Sequence, residues 1–361
     1  MSRRVYATVS ESALKHNLNQ VKRRAPHSKI IAMVKANAYG HGLISVAEAL
    51  QDVDAFGVAC IDEALKIRQA GIKTDIVLIE GIFQEEELPQ VQKENFIIVV
   101  HHWPQVVALK QYSGALQQPF RIWLKINTGM NRLGFFENEF AKAYQQLCYD
   151  QQIEIIGFMS HFATADHRER DFTLNQVKQF EKIVGSFKGQ RCLANSAAIV
   201  AFPNTHADWI RPGLLLYGAS PFAEITAKEL NLKPAMTFNS EIIAIRDLKM
   251  HECVGYGITW KNTQTSCKMG IVAMGYGDGY PWHAKNGTPV LVNGERASTI
   301  GRISMDMLAV DLTHISKVKV GDPVILWGDN LPIEEVAKHA STIPWELFCR
   351  FTDRVTVHVT S

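Results

Sequence analysis

The sequence has no marked excess of charge of either sign. Lys and Arg number 38 against 36 Asp and Glu, for a net charge of +2. Such a balance excludes a nucleic-acid surface or a polybasic membrane patch as the main purpose of the chain. Cysteine is sparse: Cys60, Cys148, Cys192, Cys253, Cys267 and Cys349 are scattered without CxxC spacing. They read as reduced thiols that serve mostly as small buried hydrophobes. The 13 histidines include the pair His101-His102, yet there is no HExxH motif and no His/Cys cluster. No metal is therefore expected. No apolar run approaches the roughly 20 residues that span a bilayer. The opening "MSRRVYATVS" has basic residues without an apolar run behind them, so no secretory signal is expected and the chain is expected to be cytoplasmic. A GxGxxG fingerprint after the first apolar run is also missing, which weakens a doubly wound dinucleotide-binding reading.

What is present is a large apolar fraction, 47% of 361 residues, enough for two domains with substantial cores. Over the first 220 or so residues the order apolar run, turn, amphipathic stretch repeats. The apolar runs fall at 30–35, 55–60, 76–80, 96–100, 120–126, 153–159, 192–194 and 213–217. Helix-like segments lie between them. "SVAEALQDV" starts with Ser45 as an N-cap, "IDEALKIRQAG" closes on glycine, and "EFAKAYQQLCYDQ" and "LNQVKQFEKIVGSF" carry apolar residues at helical spacing. About eight such units predict a closed (β/α)8 barrel of the TIM type. The texture changes after residue 230. Short alternating runs broken by Gly and Pro turns, such as "EIIAI", "MGIVAM", "PVLVN", "LAVDL" and "DPVILW", predict a mostly antiparallel β domain. "PIEEVAKHA" reads as a short helix and "DRVTVHVTS" as a closing strand. The expected division is an N-terminal strand at 1–9 packing with the β domain, a barrel at 10–230, and the β domain at 231–361.

In such a barrel the active site lies at the C-terminal ends of the strands. Lys35 ends the first expected strand in "IIAMVKANAYGHG". Lys125 and Asn127 end the fifth and lead to Arg132. His161 ends the sixth, Asn195 and Ser196 the seventh, and Arg211 enters the eighth. Singly, each has a plain alternative: a lysine past a strand is usually solvated, and a histidine there is usually a hydrogen-bonded core residue. Gathered at one mouth, they are hard to explain as packing. A lysine so placed can form a Schiff base with an aldehyde cofactor, and pyridoxal 5'-phosphate (PLP) suits the architecture. Its phosphate would rest on Tyr39, Ser196 and the turn at Gly213 and Leu214, near a helix N-terminus. Ser196 fits a plain N-cap of "SAAIVAF" equally well.

The ordered set "AMVKANAYGHG", "TGMNRLGF", "SHFATAD", "NSAA", "RPGLLLYG", "VGYG", "GYGDGY" and "GRISMD" closely resembles the bacterial alanine racemases over nearly the whole chain. That resemblance implies a PLP-dependent interconversion of L- and D-alanine by two acid/bases, Lys35 and Tyr256, on opposite faces of the cofactor. It implies that Tyr256 is linked through His161 to Arg211, and that Arg211 faces the pyridine nitrogen. An arginine there leaves the ring unprotonated and favours reprotonation of the α-carbon over transamination. Arg132 would contact cofactor and substrate carboxylate, Met305 would offer its backbone amide to that carboxylate with Asp306 nearby, and Tyr276 would line the approach to the site. The lysine matching Lys125 is carbamylated in some members. The resemblance further implies a homodimer in which Tyr256 comes from the other subunit, and a product used for peptidoglycan or an alanine-degrading role; both roles stay open.

Two positions depart from the family pattern. Asn127 stands where many members have Asp, and Asp353 lies where several have a phosphate-touching tyrosine, so Asp353 is expected to point away. Three other readings compete. A non-catalytic PLP-binding barrel would lack the β domain. A decarboxylase of the same architecture would need room for a long polar substrate. A broad-specificity racemase is associated with export, for which no signal is read.

Overall fold

Strand β1 (Tyr6–Ser10) leads into helix Glu11–Arg24, and eight short strands follow. They are β2 (Lys29–Met33), β3 (Ala55–Val58), β4 (Asp75–Leu78), β5 (Ile97–Val100), β6 (Phe120–Lys125), β7 (Ile153–Met159), β8 (Gln190–Asn195) and β9 (Trp209–Arg211). The computed structural model describes residues 4–112, 114, 118–167 and 169–361. Strands β2 to β9 pair in parallel with their sequence neighbours, and β9 pairs with β2, which closes the barrel. Strands such as β3 and β5 are continuous apolar runs buried at every position because both their faces are covered. The expected (β/α)8 barrel is therefore present.

Two local expectations fail. The eighth strand is Trp209–Arg211, and the run at 213–217 instead forms a 3₁₀ turn, Leu214–Tyr217. Pro212 has no N–H to extend a ladder. A short buried apolar run does not by itself distinguish strand from helical turn. Ser45 is also not an N-cap, because helix Leu43–Ala49 starts earlier and the side-chain Oδ1 of Asn37 accepts from the Leu43 N–H at 2.8 Å.

The remaining strands are β10 (Met236–Lys249), β11 (Cys253–Val254), β12 (Trp260–Lys261), β13 (Ser266–Val272), β14 (Pro289–Val292), β15 (Glu295–Ile300), β16 (Leu308–Asp311), β17 (Pro323–Trp327) and β18 (Thr356–Thr360). One eight-stranded sheet runs β13-β16-β15-β14-β17-β10-β1-β18, with β13 also pairing β10. All its pairings are antiparallel except β1 with β18. Helix Ile333–His339 matches expectation, while helix Pro344–Cys349 was not foreseen in the sequence.

The chain forms two compact units, one of Met1–His16, Tyr39–Gly42 and Tyr217–Ser361, the other of Asn17–Ala38 and Leu43–Leu216. Residues 39–42 thus belong with the β unit. Gly40 shows why: at φ 76° a Cβ there would stand 2.1 Å from the Phe348 carbonyl oxygen. Among the described residues, no helix is long and apolar enough to cross a membrane.

Candidate active site

Strand β2 delivers Lys35 to the C-terminal mouth of the barrel. Its last ladder bonds run from Met33 N–H to Pro212 O and from Val34 N–H to Gly57 O, each 2.9 Å. Beyond Lys35 the backbone turns left-handed: Ala36, Asn37, Ala38 and Tyr39 have φ of 54°, 53°, 53° and 52°. An L-residue in this conformation costs about 1–2 kcal/mol, and four in succession persist only where the surroundings hold them. Ala36 N–H donates to Glu63 Oε1 at 2.7 Å, and Ala38 N–H to Val34 O at 2.8 Å. The small side chains in "KANAY" fit this shape, and Asn tolerates it better than most residues.

Around Lys35 the barrel gathers positive charge. Lys35 Nζ lies 3.8 Å from Glu80 Oε1, at the end of β4. Lys125, at the end of β6, is buried. Its burial and the nearby charges of Arg211, Arg132 and Lys35 push its amine down to about 7. Arg211, at the end of β9, is also buried and is fixed from several sides. It donates to Cys192 O at 2.8 Å and to Ser160 O at 2.6 Å, and its Nη2 lies 3.2 Å from His161 Nδ1. Burial, followed by the charge of Arg211, holds His161 well below the usual imidazole range. His161 is thus neutral, accepting at Nδ1 and carrying its proton at Nε2.

Arg132 is exposed on the loop after β6. Asn127 shapes that loop by accepting from Gly129 N–H at 3.1 Å and Asn131 N–H at 3.0 Å, so an amide does the turn-forming work open to an aspartate. Gln176, which the sequence did not flag, braces the same region. Its amide group donates to Thr128 Oγ1 and His161 O, and its oxygen accepts from Ala163 N–H.

The Ser196 region departs from the plain N-cap alternative. Asn195 is the N-cap of helix Ser196–Ala201, accepting from Ala198 N–H at 3.0 Å. Ser196 Oγ instead accepts from Gly213 N–H at 2.9 Å and Leu215 N–H at 3.4 Å. Accepting from both amides leaves the Ser196 hydroxyl its own proton to donate, a donor suited to a phosphate. With Lys35, Lys125, Arg132 and Arg211 gathered at the mouth, these residues fit an anionic aldehyde cofactor such as PLP. Among the described residues no group of three or more His, Cys, Asp and Glu could hold a metal ion.

In the β unit Tyr39 is buried and stacks on Tyr217 at 4.7 Å, and burial raises its phenol. Tyr256 lies on a short turn and is 73% exposed. Its flanking Gly255 and Gly257 pass close to Arg302, whose guanidinium stacks over Trp282. Tyr276 N–H donates to Ser304 O at 3.0 Å and Gly277 N–H to Met305 O at 2.9 Å, which ties the "GYGDGY" and "GRISMD" segments together. Arg354 locks the same pair, 2.7 Å from Asp306 and 3.3 Å from the buried Asp278. Nothing local in the sequence marked Arg354; its role depends on three distant segments meeting. Asp353 is exposed.

A (β/α)8 barrel with a lysine-headed cationic mouth, together with an antiparallel β domain, is the architecture shared by barrel-type amino-acid racemases and decarboxylases. Two family models match the chain: "Alanine racemase, N-terminal domain" over residues 9–221 and "Alanine racemase, C-terminal domain" over 235–359. The chain is 47% identical to alanine racemases of Coxiella burnetii, over 98% of both chains, and of Nitrosococcus oceani, over 97% of both. It resembles the solved biosynthetic alanine racemase from Pseudomonas aeruginosa with a TM-score of 0.96 and 41% identity, covering 99% of this chain and 100% of that one. The alanine racemase structure from Acinetobacter baumannii gives 0.95 and 41% at the same coverage. The chain belongs to the alanine racemase family.

Proposed function

We propose that this chain interconverts L-alanine and D-alanine with PLP held on Lys35, as a homodimer in which Tyr256 of one copy serves the barrel of the other. The cationic mouth around Lys35, with a neutral His161 held by the fixed Arg211, is the observation that carries the reading. PLP, when bound, supplies an electron sink that acidifies the α-proton of an attached amino acid. The protein's task is then to move one proton between two faces, which needs two carriers.

Lys35 serves one face. Tyr256 serves the other, and its exposure on a glycine-flanked turn leaves the phenol free to meet a second copy. Free lysine and tyrosine both titrate near 10, so each needs a neighbour that favours its deprotonated form. The Nε2–H of His161 is the donor that can stabilise a phenolate of Tyr256. Arg211 would offer N–H donors, not a carboxylate, to a cofactor ring nitrogen, which would leave that nitrogen unprotonated and favour return of the proton to the α-carbon. The Ser196 hydroxyl and the turn at Gly213 and Leu214 would hold the phosphate. Arg132 and the backbone amide of Met305 hold the substrate carboxylate.

Lys125 has a further part. With its amine pushed down to about 7, a neutral form is available near neutral pH. That nitrogen can add to CO2 and lose a proton, and the resulting carbamate is an anion able to pair with Arg132. The test of the whole reading is direct. Purified protein supplied with PLP and L-alanine should produce D-alanine until the two enantiomers are equal, followed by optical rotation. Absence of D-alanine from cofactor-loaded protein would remove the proposal.

A further inference from the structure

We infer that Glu63 is a positioning residue for Lys35: its carboxylate bolts the backbone immediately after the lysine to the neighbouring strand. This rests on the reading of Lys35 as the lysine that binds the cofactor.

Glu63 is the third residue of helix Ile61–Gln69, whose N-cap, Cys60, makes no side-chain cap bond. A glutamate at this position commonly reaches back to the backbone at the helix start. Here one oxygen does so, accepting from Ala59 N–H at 2.9 Å just past β3. The second oxygen is left over from capping and accepts from Ala36 N–H at 2.7 Å. Both are short bonds to an anionic acceptor, the stronger kind.

The place of that second bond gives it significance. The ladder between β2 and β3 ends with Val34 N–H on Gly57 O. The next residue is Lys35, and the one after it opens the left-handed turn. Glu63 therefore supplies the next backbone anchor after the ladder ends, and Lys35 is held between the two. Without it the strained turn loses the partner of its first amide. The segment would then relax toward ordinary backbone angles, carrying the lysine Cα with it. A helix cap alone would not need the second oxygen, so the two roles are separable.

The experiment compares Glu63→Ala and Glu63→Gln with wild type. Glu229→Ala serves as a control, since it removes a similar carboxylate-to-backbone bond at Thr226 in the β unit. Amide hydrogen exchange is measured on cofactor-free protein. Capture of PLP on Lys35 is measured after borohydride reduction, by mass spectrometry. For Glu63→Ala, the amides of residues 36–39 should lose protection, and the PLP concentration for half-capture should rise at least about tenfold. Glu63→Gln, with one neutral acceptor in the same volume, should fall between, and Glu229→Ala should match wild type. If Glu63→Ala does not fold, Glu63→Gln alone decides. Faster exchange confined to residues 60–63, or PLP capture within twofold of wild type in the folded Glu63 variants, would overturn the inference. Lys35→Ala separates it from its parent: an undiminished reducible adduct in that variant would overturn the reading of Lys35 itself.

Discussion

Arg211 Nη2 lies 3.2 Å from His161 Nδ1. An arginine only donates, so the imidazole must accept there and keep its proton on the opposite nitrogen. Arg211→Lys keeps the charge but cannot serve Cys192 O, Ser160 O and His161 Nδ1 from one fork. We expect kcat/KM for L-alanine to fall at least about tenfold with the fold intact by circular dichroism. The acidic limb of the pH–rate profile should also move upward, because the phenolate that His161 supports becomes harder to form. An unchanged profile would separate Arg211 from proton transfer.

Tyr256→Phe should leave the visible band of lysine-bound cofactor in place. Turnover should drop by about 10²–10⁴-fold, more in one direction than in the other. Lys35→Ala should lose the band altogether. Near-normal rates both ways in the phenylalanine variant would end the two-carrier scheme.

Lys125 makes stability depend on pH. Its folded-state amine sits at about 7, against 10.5 for the ordinary value. Between those limits the unfolded chain binds the extra proton, so raising the pH favours the folded state, by up to about 1.4 kcal/mol per pH unit. In CO2-free buffer without PLP, wild-type protein should gain stability from pH 7 to 10 relative to Lys125→Met, measured by urea unfolding. Parallel curves for the two proteins would refute the burial of a charged-or-neutral amine at this position.

Arg354→Leu removes the clamp on Asp306 and Asp278 and so loosens the segment carrying Met305. We expect KM for alanine to rise about threefold to tenfold with a smaller change in kcat, read from steady-state kinetics at saturating PLP.

Much of this fold can be read directly from the chain. Most barrel strands have an apolar centre because helices cover them outside and side chains fill them inside, and that pattern is visible as runs. Lys35, Lys125 and Asn195 are visible because they sit where those runs stop. Other features depend on encounters that no local window contains. Gln176 braces His161 from a helix, Arg354 joins three segments, and the left-handed turn after Lys35 needs Glu63, 27 residues later. The eighth strand was misplaced because "LLLY" is as apolar as any strand, and only Pro212 hints that the ladder has already ended.

The pairing of β1 with β10 and β18 has a consequence for biosynthesis. A ribosome releases this strand early, yet its partners, Met236–Lys249 and Thr356–Thr360, are made only after every barrel strand. The barrel strands, all between Lys29 and Arg211, can associate while translation continues. Residues 6–10 therefore wait without their full set of partners until Thr356–Thr360 emerges, so a nascent chain cut short before that point leaves this strand with an open edge.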